Sequence, residues 1–195
     1  MQAVDSDHVA IVSGLPRSGT SMMMRMLDRG GLPVLTDRRR AADDDNPHGY
    51  YEFEAVKELP GNRAWLPQAR GKAVKVIYKL VHELPPDEHY RLIFLRRSLR
   101  EVIASQEAML ARSGQGPGDI APGTLEAMFQ AEIVAFTRWL EGQRNFEVLY
   151  VDHADVLAAP GREAERIAGF LGCALDIPAM AAAVDPSLHR QTHGA

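Results

Sequence analysis

The stretch Val9-Ala10-Ile11-Val12-Ser13-Gly14-Leu15-Pro16-Arg17-Ser18-Gly19-Thr20-Ser21-Met22-Met23-Met24 restricts the fold more than any other part of the chain. Its short, unbroken apolar run marks a strand buried on both faces, as in a parallel sheet. A loop of Gly, Pro, Arg and Ser follows. Met22, Met23, Met24, Met26 and Leu27 then carry a helical segment that stops at Gly30-Gly31, residues suited to a helix C-terminus. Strand, glycine loop and helix in that order turn backbone N–H groups toward an anion at the helix N-terminus. Four residues separate Gly14 from Gly19, the glycine spacing of the Walker A pattern, but Thr20 stands where that pattern has Lys. Ser21 keeps the hydroxyl, and the cation moves into the loop as Arg17. The stretch reads as a phosphate cradle, with an ordinary strand–turn–helix corner as the plain alternative.

The rest of the chain repeats the alternation. Leu32 to Leu35 reads as a short strand, Lys72 to Tyr78 as a clear one with Val74 and Val76 alternating against Lys75, and Arg91 to Leu95 and Phe146 to Val151 as buried strands. Leu99, Val102, Ile103, Gln106 and Leu110 have helical spacing, with Ser98 placed to cap them. A helix from about Thr124 to Arg144 puts Phe129, Ile133, Phe136 and Leu140 on one face, with Trp139 packed beside them. Asp152 to Asp155 reads as a loop with a helix N-cap. Pro160-Gly161 starts a helix through Leu171, and a short helical segment covers Ala179 to Val184. This pattern predicts an α/β fold: a single domain over residues 1–195, its parallel sheet flanked by helices. Sites in such a fold gather at the C-terminal strand ends, where Arg17 and Arg97 both fall.

Charge sets the class of partner. The 195 residues carry a net charge of −4, which argues against nucleic acid or an anionic membrane as a bulk partner; a polyanionic ligand would need a local basic site. Arg38-Arg39-Arg40 beside Asp43-Asp44-Asp45 reads as a solvated loop, and no His or Glu is spaced to complete a metal site on the Asp run, so no metal is expected. Cys173 is the one cysteine, which rules out an intrachain disulfide and suggests a small buried hydrophobe. No apolar run approaches the ~20 residues of a membrane span. The N-terminus, with Asp5 and Asp7, lacks a basic, then apolar leader, so a cytoplasmic location is expected.

Pro16-Arg17-Ser18-Gly19-Thr20-Ser21 resembles the 5′-phosphosulfate-binding loop of sulfotransferases, enzymes that use 3′-phosphoadenosine 5′-phosphosulfate (PAPS). A sulfuryl group carries less charge than a terminal phosphoryl group, so Arg, Lys and backbone N–H groups suffice where an NTPase keeps its Lys and metal. Arg97, with Ser105 eight residues on, resembles the 3′-phosphate signature of the same family. A planar guanidinium suits that task because it donates two hydrogen bonds to one phosphate. The plain reading of Arg96 and Arg97 is a surface ion pair with Glu101. The resemblance runs from about Val9 to Arg190 and implies a P-loop-like sulfotransferase topology. It implies that Arg17, Ser18, Gly19, Thr20, Ser21, Arg97 and Ser105 bind PAPS, and that Arg17 meets the charge on the leaving oxygen. Arg190 is the candidate substitute for an Arg-Lys-Gly run that animal enzymes carry near the C-terminus; its other reading is a solvated tail.

Asn46-Pro47-His48-Gly49-Tyr50-Tyr51-Glu52 resembles an Asn-Pro-x-Gly-aromatic-x-Glu segment of bacterial-type sulfotransferases. On that likeness Glu52 is the catalytic base, with Glu54 and His82 as alternatives; the residues alone equally fit a short element with aromatics inside and carboxylates outside. Animal enzymes place their base in a Lys-Thr-His run, where this chain has Tyr78-Lys79-Leu80, so His82 also reads as a solvated loop residue. The implied activity is sulfuryl transfer to a hydroxyl or amine of a small-molecule or glycan acceptor. The alternatives are a P-loop kinase, which would want Lys at position 20 and an Asp for Mg²⁺, or a non-catalytic nucleotide-binding protein.

Overall fold

β1 (His8–Gly14) is the strand around which the sheet is built. The computed structural model describes residues 7–43, 46–114, 116 and 120–188. On one side β1 pairs in parallel with β3 (Ala73–Lys75), from Ala10 opposite Ala73 to Val12 opposite Lys75. On the other it pairs with β4 (His89–Arg96), from His8 opposite His89 to Gly14 opposite Leu95. β2 (Val34–Leu35) lies outside β3 and β5 (Phe146–Asp152) outside β4, giving the order β2-β3-β1-β4-β5, all parallel.

Alternation along these strands feeds two apolar layers, as a sheet covered on both faces requires. Val9 and Ile11 of β1, Val74 of β3, and Leu92 and Phe94 of β4 face the first layer. There α2 (Leu66–Ala69), α3 (Leu99–Arg112), α4 (Pro122–Glu141) and two 3₁₀ turns at Glu54–Glu58 and Tyr78–Glu83 cover them. Ala10, Val12, Ala73, Ile93 and Leu95 face the second layer. It is closed by α1 (Thr20–Arg29), α5 (His153–Ala158), α6 (Pro160–Leu171) and α7 (Ile177–Ala182). Met23, Met24, Met26 and Leu27 of α1 are fully enclosed; burying a side chain of this size contributes ~1.5–3 kcal/mol.

The structure departs from the sequence expectation at several points; α4 runs Pro122–Glu141 and α7 Ile177–Ala182, each shifted toward the N-terminus. The strand expected over Lys72 to Tyr78 stops at Lys75, because Leu80 N–H turns back to the Ile77 carbonyl at 2.7 Å and opens a 3₁₀ turn. Residues 152–155 are not a loop: α5 starts at His153, and the Asp152 carboxylate, placed to cap it, is taken by Arg96. Ser98 holds the N-cap position of α3, but its hydroxyl makes no cap bond. Cys173 is half-buried against the second layer rather than enclosed. Among the described residues no helix is long and apolar enough to cross a membrane.

Candidate active site

The C-terminal end of β1 lies between β3 and β4, where the chain's connections leave toward opposite edges of the sheet. Crevices open at such points. A Cβ on Gly14 would stand 2.7 Å from the Leu95 carbonyl of β4, so a side chain cannot fit where the chain leaves the strand. The backbone is left-handed at Arg17 (φ 68°) and again at Gly19 (φ 100°), and a Cβ on Gly19 would lie 2.7 Å from the His153 ring. Ser18 closes the turn internally: its N–H donates to the Leu15 carbonyl at 3.2 Å, and its hydroxyl is buried beside Gly14. The first bond of α1 runs from Met23 N–H to the Gly19 carbonyl at 3.0 Å. The N–H groups of Gly19, Thr20, Ser21 and Met22 therefore precede the helical ladder, and all four residues line the crevice, a cavity of about 440 Å³.

The second and third expected anchors converge on the same loop. Arg17 Nε donates to Ser105 Oγ at 2.9 Å across 88 residues of sequence. Arg97 Nη1 donates to the Arg17 carbonyl at 3.0 Å, and Arg97 Nε to Glu101 at 2.8 Å. Arg97 does pair with Glu101, but not on the surface: its side chain is 9% exposed. Its neighbour Arg96 turns the other way, into a two-pronged pair with Asp152 at 3.0 and 2.6 Å. The strand end thus separates two adjacent arginines that the plain ion-pair reading took together: Glu101 holds Arg97, and Asp152 holds Arg96. Arg17, Arg97 and Ser105 all line the cavity.

Opposite the loop, the segment around Glu52 closes the cavity. Glu52 lines it, with Arg40 at 3.0 Å, Lys57 at 3.4 Å and Lys75 at 3.8 Å from its carboxylate. Lys75 also donates to the Tyr50 carbonyl and reaches Ser21 Oγ at 3.5 Å, tying β3 to the start of α1. Burial drives the Lys75 pKa down to about 8; Glu52 pulls it back up, while Arg40 and Lys57 push it lower.

Neither a family model nor a curated protein matches the sequence. Solved structures match the fold. The mouse sulfotransferase SULT7A1, complexed with PAP, superposes with a TM-score of 0.61 at 14% identity, covering 96% of this chain and 68% of that one. The sulfotransferase domain of the Synechococcus PCC 7002 olefin synthase gives 0.55 at 16% identity, over 97% of this chain and 82% of the other. Retinol dehydratase in complex with androsterone and PAP gives 0.51 at 17% identity; the match spans 89% of this chain but 62% of that protein. This chain has the sulfotransferase fold. The two sequence motifs lie in the loop after β1 and at the end of β4.

The three base candidates separate by position. Glu52 lines the cavity, whereas Glu54 points outward to Lys57 at 2.7 Å. His82 is exposed and packs at a tilt against Trp139, ring centroids 4.2 Å apart, with Phe136 at 5.4 Å; it does not line the cavity. Arg190 lies outside the described residues, as do Asp44 and Asp45. Sequence reasoning missed Lys75 and His153. Lys75 sits among alternating valines like any outward residue of a half-exposed strand, and only the parallel pairing to β1 shows that its side is enclosed. His153 follows the end of β5, the same kind of position that drew attention to Arg97, and its 7% exposure against Gly19 is a long-range contact.

Proposed function

We propose that this chain is a PAPS-dependent sulfotransferase that transfers a sulfuryl group to a hydroxyl or amine of an acceptor. The observation that carries this reading is the Arg17–Ser105 contact with Arg97 on the Arg17 carbonyl, which joins the phosphosulfate motif and the 3′-phosphate motif in one cluster. Proteins of the same fold crystallised with PAP add support. In this reading the N–H groups of Gly19, Thr20 and Ser21 hold the 5′-phosphosulfate on a loop that Ser18 shapes from within. Arg97 and Ser105 hold the 3′-phosphate, with Arg190 as a further ligand from the tail. The bond from sulfur to the bridging phosphate oxygen breaks as the acceptor oxygen or nitrogen bonds to sulfur, leaving PAP. Arg17 meets the charge that grows on the bridging oxygen, and Glu52 takes the acceptor's proton.

The test is PAPS-dependent sulfate transfer over a panel of phenols, alcohols, amines and sugars. Wild type should release PAP in step with sulfated product. Because leaving-group charge exists only as the bond breaks, Arg17→Ala should lower kcat by roughly 10²–10³-fold while PAP affinity changes far less. A variant with intact turnover and weakened binding would remove Arg17 from the catalytic step. Tight PAP binding with no transfer to any acceptor would leave a nucleotide-binding protein in place of an enzyme.

A further inference from the structure

Beyond Glu52, on the β2 side of the cavity, lies a second hollow of about 370 Å³. The two spaces share Arg40, His48, Tyr50 and Glu52, so Glu52 stands at the joint between them. Among the described residues, Arg38, Arg40 and Glu52 line the hollow with full charges, and His48 lines it 3.4 Å from Asp185. Glu52 is already answered by Lys57 and Lys75. Among the described residues the hollow therefore carries positive charge that its own wall does not balance. Among the described residues no carboxylate pairs with the Arg38 guanidinium, and Arg38 is held in the left-handed region (φ 54°) with its N–H on Thr36 Oγ1.

Arg40 is a prepared donor. Its guanidinium carbon lies 3.4 Å from the centroid of the Tyr50 ring, and Nη1 donates to Glu52 at 3.0 Å. Tyr50 is itself fixed, 7% exposed, with its hydroxyl 2.7 Å from both Asp43 carboxylate oxygens. A guanidinium stacked this way keeps its remaining N–H groups in a fixed plane, ready for a second oxyanion. The donor does not account for this charge. Its proposed anchors are the loop after β1 and the pair Arg97–Ser105 at the β4 end, whereas Arg38 lines only the hollow.

We infer that the hollow binds an anionic group of the acceptor, a carboxylate or a phosphate, between Arg38 and Arg40, and so presents the acceptor's hydroxyl to Glu52. The inference rests on the sulfotransferase reading and specifies its acceptor: a small hydroxy acid or hydroxylated phosphate ester rather than a neutral alcohol. The experiment is calorimetry on protein saturated with PAP, so that the donor cradle is filled. Three matched phenols are titrated: 4-hydroxyphenylacetate, 4-hydroxybenzylphosphonate and the neutral 4-hydroxyphenylacetamide. At least one acid should bind about tenfold or more tightly than the amide, and Arg38→Ala should erase that margin, the loss of one charge-assisted contact. Arg39→Ala, a 75% exposed side chain outside the hollow, should keep it. Preference for the carboxylate over the phosphonate, or the reverse, tells which anion the hollow fits. The inference is overturned if the amide binds as well as the acids, if neither acid binds, or if the margin survives in both Arg38→Ala and Arg40→Gln. A wild type that fails to take up PAP shows itself in the first titration and overturns the sulfotransferase reading, and this inference with it.

Discussion

At the scale of single residues, the site is defined by cations whose neighbours leave them little freedom. Arg97 is held by Glu101 and by the Arg17 carbonyl, so its position on the loop does not depend on a ligand arriving. Lys75 is the costlier case. Burial lowers its pKa from 10.5 to about 8, so between those two pH values the unfolded chain binds more protons than the folded one. Stability must then rise with pH across that window, by up to about 3 kcal/mol, and the penalty is present in full below pH 8. Lys75→Met should remove this rise. Urea unfolding of both proteins at pH 7 and pH 10 tests it: the stability gap between variant and wild type should shrink or reverse sign between the two, in favour of wild type at the higher pH. A gap that stays constant would mean that Lys75 is no harder to protonate folded than unfolded. The sequence displayed Lys75 only as the polar half of an alternation, since a pKa shift arises from what surrounds a group and not from its position in a pattern.

Elements were legible where local rules suffice. β1, β4 and β5 are apolar runs, α1 and α6 end at glycines, and all five appear within a residue or two of their expected bounds. β3 was overdrawn because Val76 and Ile77 continue the apolar alternation while the chain already turns away, leaving Ile77 45% exposed at the cavity wall. The two readings of His82, base or solvated loop residue, both missed its aromatic packing, because that depends on where α4 docks. α4 is 20 residues long yet buries fully only Phe136 and Leu140. Phe136 meets Tyr78, His82, Phe94 and Trp139, and Glu132 one turn earlier accepts a hydrogen bond from the Tyr78 hydroxyl. Phe136→Ala should therefore cost about 3–5 kcal/mol, the range for a large aromatic removed from a packed core. Chemical denaturation measures it, and a loss below about 1 kcal/mol would show that α4 is docked mainly by other contacts.

Across the whole molecule, a chain of net charge −4 gathers Arg17, Arg25, Arg40, Lys75, Arg97 and Arg112 around one cavity at the centre of its sheet. Concentrating like charges there works against folding, and a polyanion bound among them relieves it, so ligand affinity should be readable as stability. PAP and AMP differ by the 3′-phosphate, the group assigned to Arg97 and Ser105. If that assignment holds, one charge-assisted bond makes PAP bind roughly tenfold to a hundredfold more tightly. At equal concentrations above both dissociation constants, that ratio is worth about 1.4–2.7 kcal/mol of added stability. For a chain of this size it becomes a Tm about 3–10 °C higher with PAP than with AMP. The melting experiment needs no acceptor, and thus tests the donor side alone. In Arg97→Ala the difference should collapse, because removing the arginine and removing the phosphate delete the same contact and their effects do not add. Equal shifts with the two nucleotides in wild type would sink the PAPS assignment. A PAP advantage that persists in Arg97→Ala would keep the donor but move its 3′ anchor, with Arg190 in the tail and Arg112 at the end of α3 the next side chains to remove.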